Sequence, residues 1–168
     1  MRFSMKLISA LGAIVIALTG VTIQADTPKA GGTLIMSIGT TPRHLNPAVQ
    51  SGIATGAPGA QIFATLLRFD DKWNPHPYLA KSWQVSDDSM TVTFNLVDGA
   101  TFHDGTPITS SDVAFSIKTI KANHPFKTMF GAVESVETPD ANTAVFKLSK
   151  PHPALMLALS SQLGSIIP

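Results

Sequence analysis

Three short pairs in this chain carry the residue types of reactive groups: His103-Asp104, Asp70-Asp71 and Asp87-Asp88. A His beside an Asp can act as an acid–base pair or supply two ligands to a metal ion. Adjacent carboxylates can divide the roles of general acid and general base. The neighbouring residues argue against each use. A protein metal site needs three or more ligands, and no Glu or His stands at helical spacing from His103. His124 and His152 could join it only through folding. All three pairs sit beside turn residues, where Asp bonds its own main chain and stays in water. The chain has no cysteine, which excludes disulfides, thiolate ligands and a Cys nucleophile. It has no Gly-x-Ser-x-Gly elbow, phosphate loop or dinucleotide fingerprint. The residues therefore point to no catalysis, no metal and no cofactor. A secreted hydrolase working through His103 and Asp104 is the rival from a different class.

Large aromatics are the other candidates for a site. Trp83 lies within a strand pattern and is expected in the core. Phe126 and Phe130 follow a helix and lie among Pro, Lys and Gly, so they face either a cleft or the core.

The elements that would position these groups are unevenly legible. From Met90 to Leu96 the apolar residues Met90, Val92, Phe94 and Leu96 alternate with Thr91, Thr93 and Asn95, the period of a strand with one buried face. Trp83 and Val85 start the strand before it, and Asp87-Asp88 makes the turn of a hairpin. Asp98-Gly99 and His103-Asp104-Gly105-Thr106-Pro107 are two further turns. Thr109 stands three residues before Asp112, the spacing of a capping box, and Val113, Ile117 and Ile120 follow at helical spacing. Val133–Glu137 and Ala144–Leu148 flank Pro139-Asp140-Ala141-Asn142 as a second hairpin. Pro151 and Pro153 open a helix over Ala154–Leu159. Ile62, Phe63, Leu66 and Leu67 recur with one-sided helical spacing over Ala60–Phe69, which predicts a core helix. Thr33–Ile38 carries apolar residues on both parities and predicts a strand covered on both faces. Between these two, residues 39–59 contain Pro42, Pro47 and Pro58, which should bar any long regular element. A loop of that length is either functional or disordered.

Composition sets the outer bounds. With 168 residues the chain suffices for one compact domain but not for two large lobes. A hydrophobic content of 44% and a charged content of 14% argue against disorder. Arg2 and Lys6 precede an apolar run from Leu7 to Val21, and Ile23-Gln24-Ala25 offers a small residue before Asp26. That is the tripartite pattern of a secretory signal peptide over residues 1–25, cleaved after Ala25. The run falls short of the roughly 20 residues that span a bilayer. Its removal takes two of the 12 basic residues and leaves 11 acidic ones, so no basic patch invites nucleic acid.

In order, LAKSW (79–83), a strand, DGATFHDGTPIT (98–109) and SSDVAFSI (110–117) resemble the family 5 extracellular solute-binding proteins. These are the peptide, nickel and opine binding components of bacterial ABC importers. The resemblance covers nearly everything after residue 30. It implies an α/β fold of the type II, two-lobed periplasmic binding protein class, which closes on its ligand by hinge motion. Members are several times longer, so the chain is expected to be an N-terminal part. Residues 26–59 would supply the leader, first strand and cleft loop of lobe I, and residues 60–168 its extra α/β subdomain.

The implied function is capture of a solute, a short peptide or else a nickel chelate, opine or other small solute, in the periplasm. The implied partner is an ABC transporter permease complex at the inner membrane, with the complete protein a monomer. A ligand module for chemosensing is a related alternative. In peptide-binding relatives the main chain just after the first strand's Asn-Pro passes along the cleft. Asn46-Pro47 matches that pair, which implies that Val49, Gln50, Ser51 and Gly52 lie beside the ligand. Ser51 and Gln50 can donate and accept, and Gly52 lets another main chain come close. Phe130 is a further candidate, as an apolar pocket wall.

Overall fold

The computed structural model describes residues 30–168, so the expected signal peptide lies outside the described residues. The chain divides into two units, Met1–Met36 and Ser37–Pro168. The described part of the first, residues 30–36, is open chain with every residue exposed. The strand expected over Thr33–Ile38 does not form: Leu34 and Ile35 are 81% and 89% exposed. A strand needs a neighbour for its main-chain donors and acceptors, and none of the described strands pairs with this segment.

The second unit begins irregularly and reaches its first helix, α1, at Ile53–Ile62. Two expectations are corrected here. Pro58 lies inside α1 and does not prevent it. In a helix of 10 residues a proline deprives one upstream carbonyl of its donor and leaves the other turns intact. The helix also crosses the expected division between residues 59 and 60. It does not continue through Phe69: Phe63 is extended, and Leu67–Phe69 is strand β1, paired antiparallel with β2 at Pro75–Pro77. Leu66, just before the strand, and Leu67 at its start are both fully buried, while Arg68 faces solvent. Neighbouring apolar residues suit such a strand as well as a helix, and pairing with Pro77 decides between them.

The core is a four-stranded antiparallel sheet of β3 (Ala80–Val85), β4 (Thr91–Leu96), β5 (Val133–Asp140) and β6 (Thr143–Leu148), in the order β3-β4-β6-β5. The β3–β4 hairpin has the expected register, with Trp83 opposite Phe94 and Val85 opposite Val92. Its turn is closed by Ser89 N–H on Ser86 C=O at 2.8 Å. Trp83 is only half buried, at the edge of the core. In β4, Val92, Phe94 and Leu96 are buried as the alternation requires, with Val92 paired to Phe146 and Phe94 to Ala144 of β6. The Phe94 and Phe146 rings meet edge to face with centroids 5.2 Å apart. The second hairpin is displaced from its sequence signal. Strand β5 runs through Pro139 and Asp140, and Ala141-Asn142 makes the turn. Pro139 is tolerated because β5 is the sheet edge, where a missing N–H breaks no central ladder.

Helix α2 spans Ser110–Asn123, with Thr109 as its N-cap and Asp112 closing the capping box. The Asp112 carboxylate accepts from the Thr109 N–H at 2.7 Å and from its hydroxyl at 2.8 Å. The cap is tied to the sheet, since Ser110 N–H donates to Ala141 C=O at 2.8 Å and the Ser110 hydroxyl to Asp140 C=O. Val113, Ile117 and Ile120 bury the apolar face of α2. Ser116, also buried, accepts the Ile167 N–H at 2.9 Å and so fastens the last described residues to α2. Helix α3 spans Ala154–Ser160 and starts after Pro153, as the proline placement predicts.

Candidate functional site

The segment from Asn46 to Gly52 is a loop anchored at both ends. The Asn46 side chain accepts the Ala48 N–H at 2.9 Å, a local turn typical of Asn. Pro47 is buried against α1, where a Cβ on Gly59 would lie 3.0 Å from the proline ring. Ala48 is fully buried in the core. At the other end Gly52 is the N-cap of α1 with φ 103, a conformation L side chains rarely adopt. An added Cβ there would meet nothing within 4 Å, so within this chain Gly52 serves the backbone angle rather than a close approach. Between the anchors Val49, Gln50 and Ser51 are half buried. None of the described hydrogen bonds uses the main-chain N–H or C=O of Val49 or Ser51.

The structure brings Val49, Gln50, Ser51 and Gly52 together and separates Phe130 from them in role. Phe130 is 0% exposed and belongs to the core, so it offers no wall to an open pocket. It ends the 3-10 turn Lys127–Phe130, which folds it inward, while Phe126 just before the turn is 53% exposed. A cavity of about 450 Å³ lies elsewhere, between the end of the β3–β4 hairpin and the segment Pro151–Met156. It is lined mainly by apolar residues such as Val85, Val92, Leu148 and Leu155. Neither the loop nor Phe130 lines it.

The reactive-looking pairs are turns. Asp104 accepts the Thr106 N–H at 2.9 Å, and that bond, then the Thr106 hydroxyl, holds its carboxyl below the ordinary value. His103 and Asp104 are both exposed. Asp70 organises the β1–β2 turn by accepting from Lys72 N–H, from Asn74 N–H and side chain, and from His76. These bonds, led by the Asn74 side chain, keep it well below the usual carboxylate range. Asp88 accepts from the Ser86 hydroxyl and the Met90 N–H, with the same effect. Among the described residues no group of three or more His, Asp or Glu could hold a metal ion.

One buried polar residue has little sequence signal. His124, only a remote histidine in the linear chain, is 1% exposed at the C-terminal end of α2. Its Nδ1 accepts the Phe126 N–H at 2.9 Å. Burial pushes the imidazole below its usual value of 6.5, while the Gln50 main chain acts in the opposite direction. The local hint was His124-Pro125, a polar residue placed where proline must end a helix.

Comparison with known proteins gives a consistent result. Residues 74–168 match the model of bacterial extracellular solute-binding proteins, family 5, middle region. A putative ABC transporter peptide-binding protein of Brucella ovis is 36% identical over 121 residues, covering 70% of this chain and 22% of that protein. The probable D,D-dipeptide-binding periplasmic protein DdpA of Escherichia coli K12 is 30% identical over 173 residues, covering 99% of this chain and 33% of that one. Among solved structures, NikZ of Campylobacter jejuni in complex with Ni(L-His) superposes with a TM-score of 0.68 at 32% identity, over 77% of this chain and 26% of that one. The chain thus spans a third or less of the length of each. The matched region holds the sheet, α2 and α3, the scaffold on which the loop rests, and this chain belongs to the family 5 bacterial extracellular solute-binding proteins.

Proposed function

We propose that this chain forms part of one wall of a periplasmic binding site that captures short peptides for an ABC importer. It corresponds to part of lobe I and its extra α/β subdomain in a two-lobed protein, with Val49–Gly52 beside the ligand. The observation that carries this reading is the loop's main chain. Its ends are fixed by Asn46-Pro47 and by the Gly52 cap, yet the donors and acceptors of Val49 and Ser51 are uncommitted. Fixed main-chain groups can pair with the backbone of an extended peptide without reading its side chains. The peptide class is favoured by the names of the Brucella and E. coli relatives. NikZ, which holds Ni(L-His), supports a small chelate as the second reading.

Two expected results test the proposal. In the complete two-lobed protein Ser51→Trp should weaken the binding of short peptides at least about tenfold, or about 1.4 kcal/mol. Its melting temperature should stay within about 2 °C, because Ser51 carries no core contact worth more than a few tenths of a kcal/mol. Calorimetry that finds affinity and stability both untouched removes the loop from the site. Calorimetry that finds peptides inert and nickel–histidine bound selects the second reading. Export through the leader predicts Asp26 as the first residue of the protein recovered from the periplasm. Mass spectrometry of that material checks it, and an intact Met1 would refute cleavage.

A further inference from the structure

The cavity beside the β3–β4 hairpin has the dimensions of a small-molecule site. About 450 Å³ lies within the range of pockets that enclose an organic ligand. Its walls are fastened to one another by the fold. Val85 and Val92 are paired across the hairpin, and Leu148 N–H donates to Met90 C=O at 2.9 Å. On the other side His152 C=O accepts the Leu155 N–H at 3.0 Å, and Pro151 and Pro153 restrict the main chain around His152. Val92, Leu148 and Leu155 are almost wholly buried while Val85 is 48% exposed, so the apolar lining runs from the core out to the surface.

Two polar side chains, His152 and Ser89, share this lining. His152 Nε2 lies 2.9 Å from Met129 C=O. A carbonyl only accepts, so Nε2 carries the ring hydrogen and Nδ1 of the neutral ring is a bare acceptor. None of the described hydrogen bonds uses Nδ1 or the Ser89 hydroxyl. Ser89 also has φ 57, a turn conformation that glycine adopts with less strain. A side chain is thus kept at a conformational cost on the border of the cavity.

We propose that this cavity is a ligand site, separate from the Val49–Gly52 loop, for a small neutral aromatic molecule that carries one hydrogen-bond donor. The ring system packs on Val92, Leu148 and Leu155, and the donor meets His152 Nδ1. Met156 adds a thioether to the wall, an adaptable group that makes favourable contacts with aromatic rings. No Lys, Arg, Asp or Glu lines the cavity. A zwitterionic short peptide would bury charged termini there without partners, so the lining selects against the ligand class proposed for the loop.

Indole and indene differ chiefly in the ring N–H and serve as probes of the complete protein. Indole should bind one to one and about fivefold more tightly than indene, the effect of one added neutral hydrogen bond. Methyl spectra should place both probes against Val92, Leu148 and Leu155, and indole alone should move the His152 Nδ1 resonance. Val85→Trp, at a half-exposed position, should fill the mouth and weaken both probes at least about tenfold while the melting temperature holds. His152→Leu should lower indole to the affinity of indene. Failure of both probes to bind would mean that the cavity is closed in the complete protein, and it would overturn the proposal. Equal affinities for the two probes, or shifts confined to other parts of the molecule, would also overturn it. Should His152→Leu fail to fold, the two probes on the wild-type protein and on Val85→Trp still decide.

Discussion

Phe94→Ala is expected to destabilise the protein by about 3–5 kcal/mol, as large a loss as any single substitution in this sheet should cause. Phe94 is fully buried in β4, paired opposite Trp83 on one side and Ala144 on the other, with its ring edge-on to Phe146. Truncation removes apolar area from the core, deletes the aromatic contact, and leaves a cavity. The small Ala144 opposite cannot fill that cavity. Domains of this size are stable by about 5–15 kcal/mol, so much of the margin would go. Denaturant unfolding should show a lower midpoint with an unchanged slope. Thr138→Ala, on the exposed edge strand β5, serves as the control and should stay within about 0.5 kcal/mol. A loss of under about 1.5 kcal/mol for Phe94→Ala would mean that the core is not built around this ring.

The second large effect is expected at Gly164, in the 3-10 turn Gln162–Gly164 after α3. A Cβ there would lie 2.8 Å from Ala158 C=O and 2.9 Å from Leu159 Cα. Both are main-chain atoms of α3, so no side-chain rotation relieves the clash. Gly164→Ala should cost about 1–3 kcal/mol or more through overpacking. The strain would spread, because Ile166 N–H donates to Ala64 C=O and Ile167 N–H to Ser116 just beyond. The same turn presses on α1, where the Gln162 amide occupies the space a Cβ on Gly56 would need. A shift there reaches Gly52, so under the proposed function a change in peptide affinity should accompany the loss of stability. Gly39→Ala, at a position with nothing within 4 Å and no positive φ, should be nearly neutral. Equal melting temperatures for both variants would show that the close approach at Gly164 is relaxed in solution.

The asymmetry between these two sites bears on what was legible in the chain. Phe94 announces itself through the alternation of Met90 to Leu96, and its burial follows once a sheet forms. Nothing around Gly164 distinguishes it from Gly39. Its importance arises from the return of the chain over α3, a contact made by folding alone. Likewise, Asn46-Pro47 marks the loop, but only the buried proline against Gly59 and the positive φ at Gly52 make it rigid.

By itself the sequence determined the β3–β4 hairpin, the Thr109–Asp112 capping box, α2 with its inward face, the start of α3 and the family. The elements among these rest on residues near one another in the chain, where turn chemistry, side-chain period and capping act locally, and the family rests on the order of such local motifs from Leu79 to Ile117. The tertiary structure decided the rest. It left Leu34 and Ile35 exposed where a strand was expected, since a strand exists only through its partner. It put Leu67 into strand β1, with Leu66 just before it, rather than into a helix, and it folded Phe130 inward while leaving Phe126 outside. It also buried His124, a polar residue at the C-terminal end of α2. Burial and pairing depend on which distant segments meet, and neither periodicity nor composition encodes that meeting at the residues themselves.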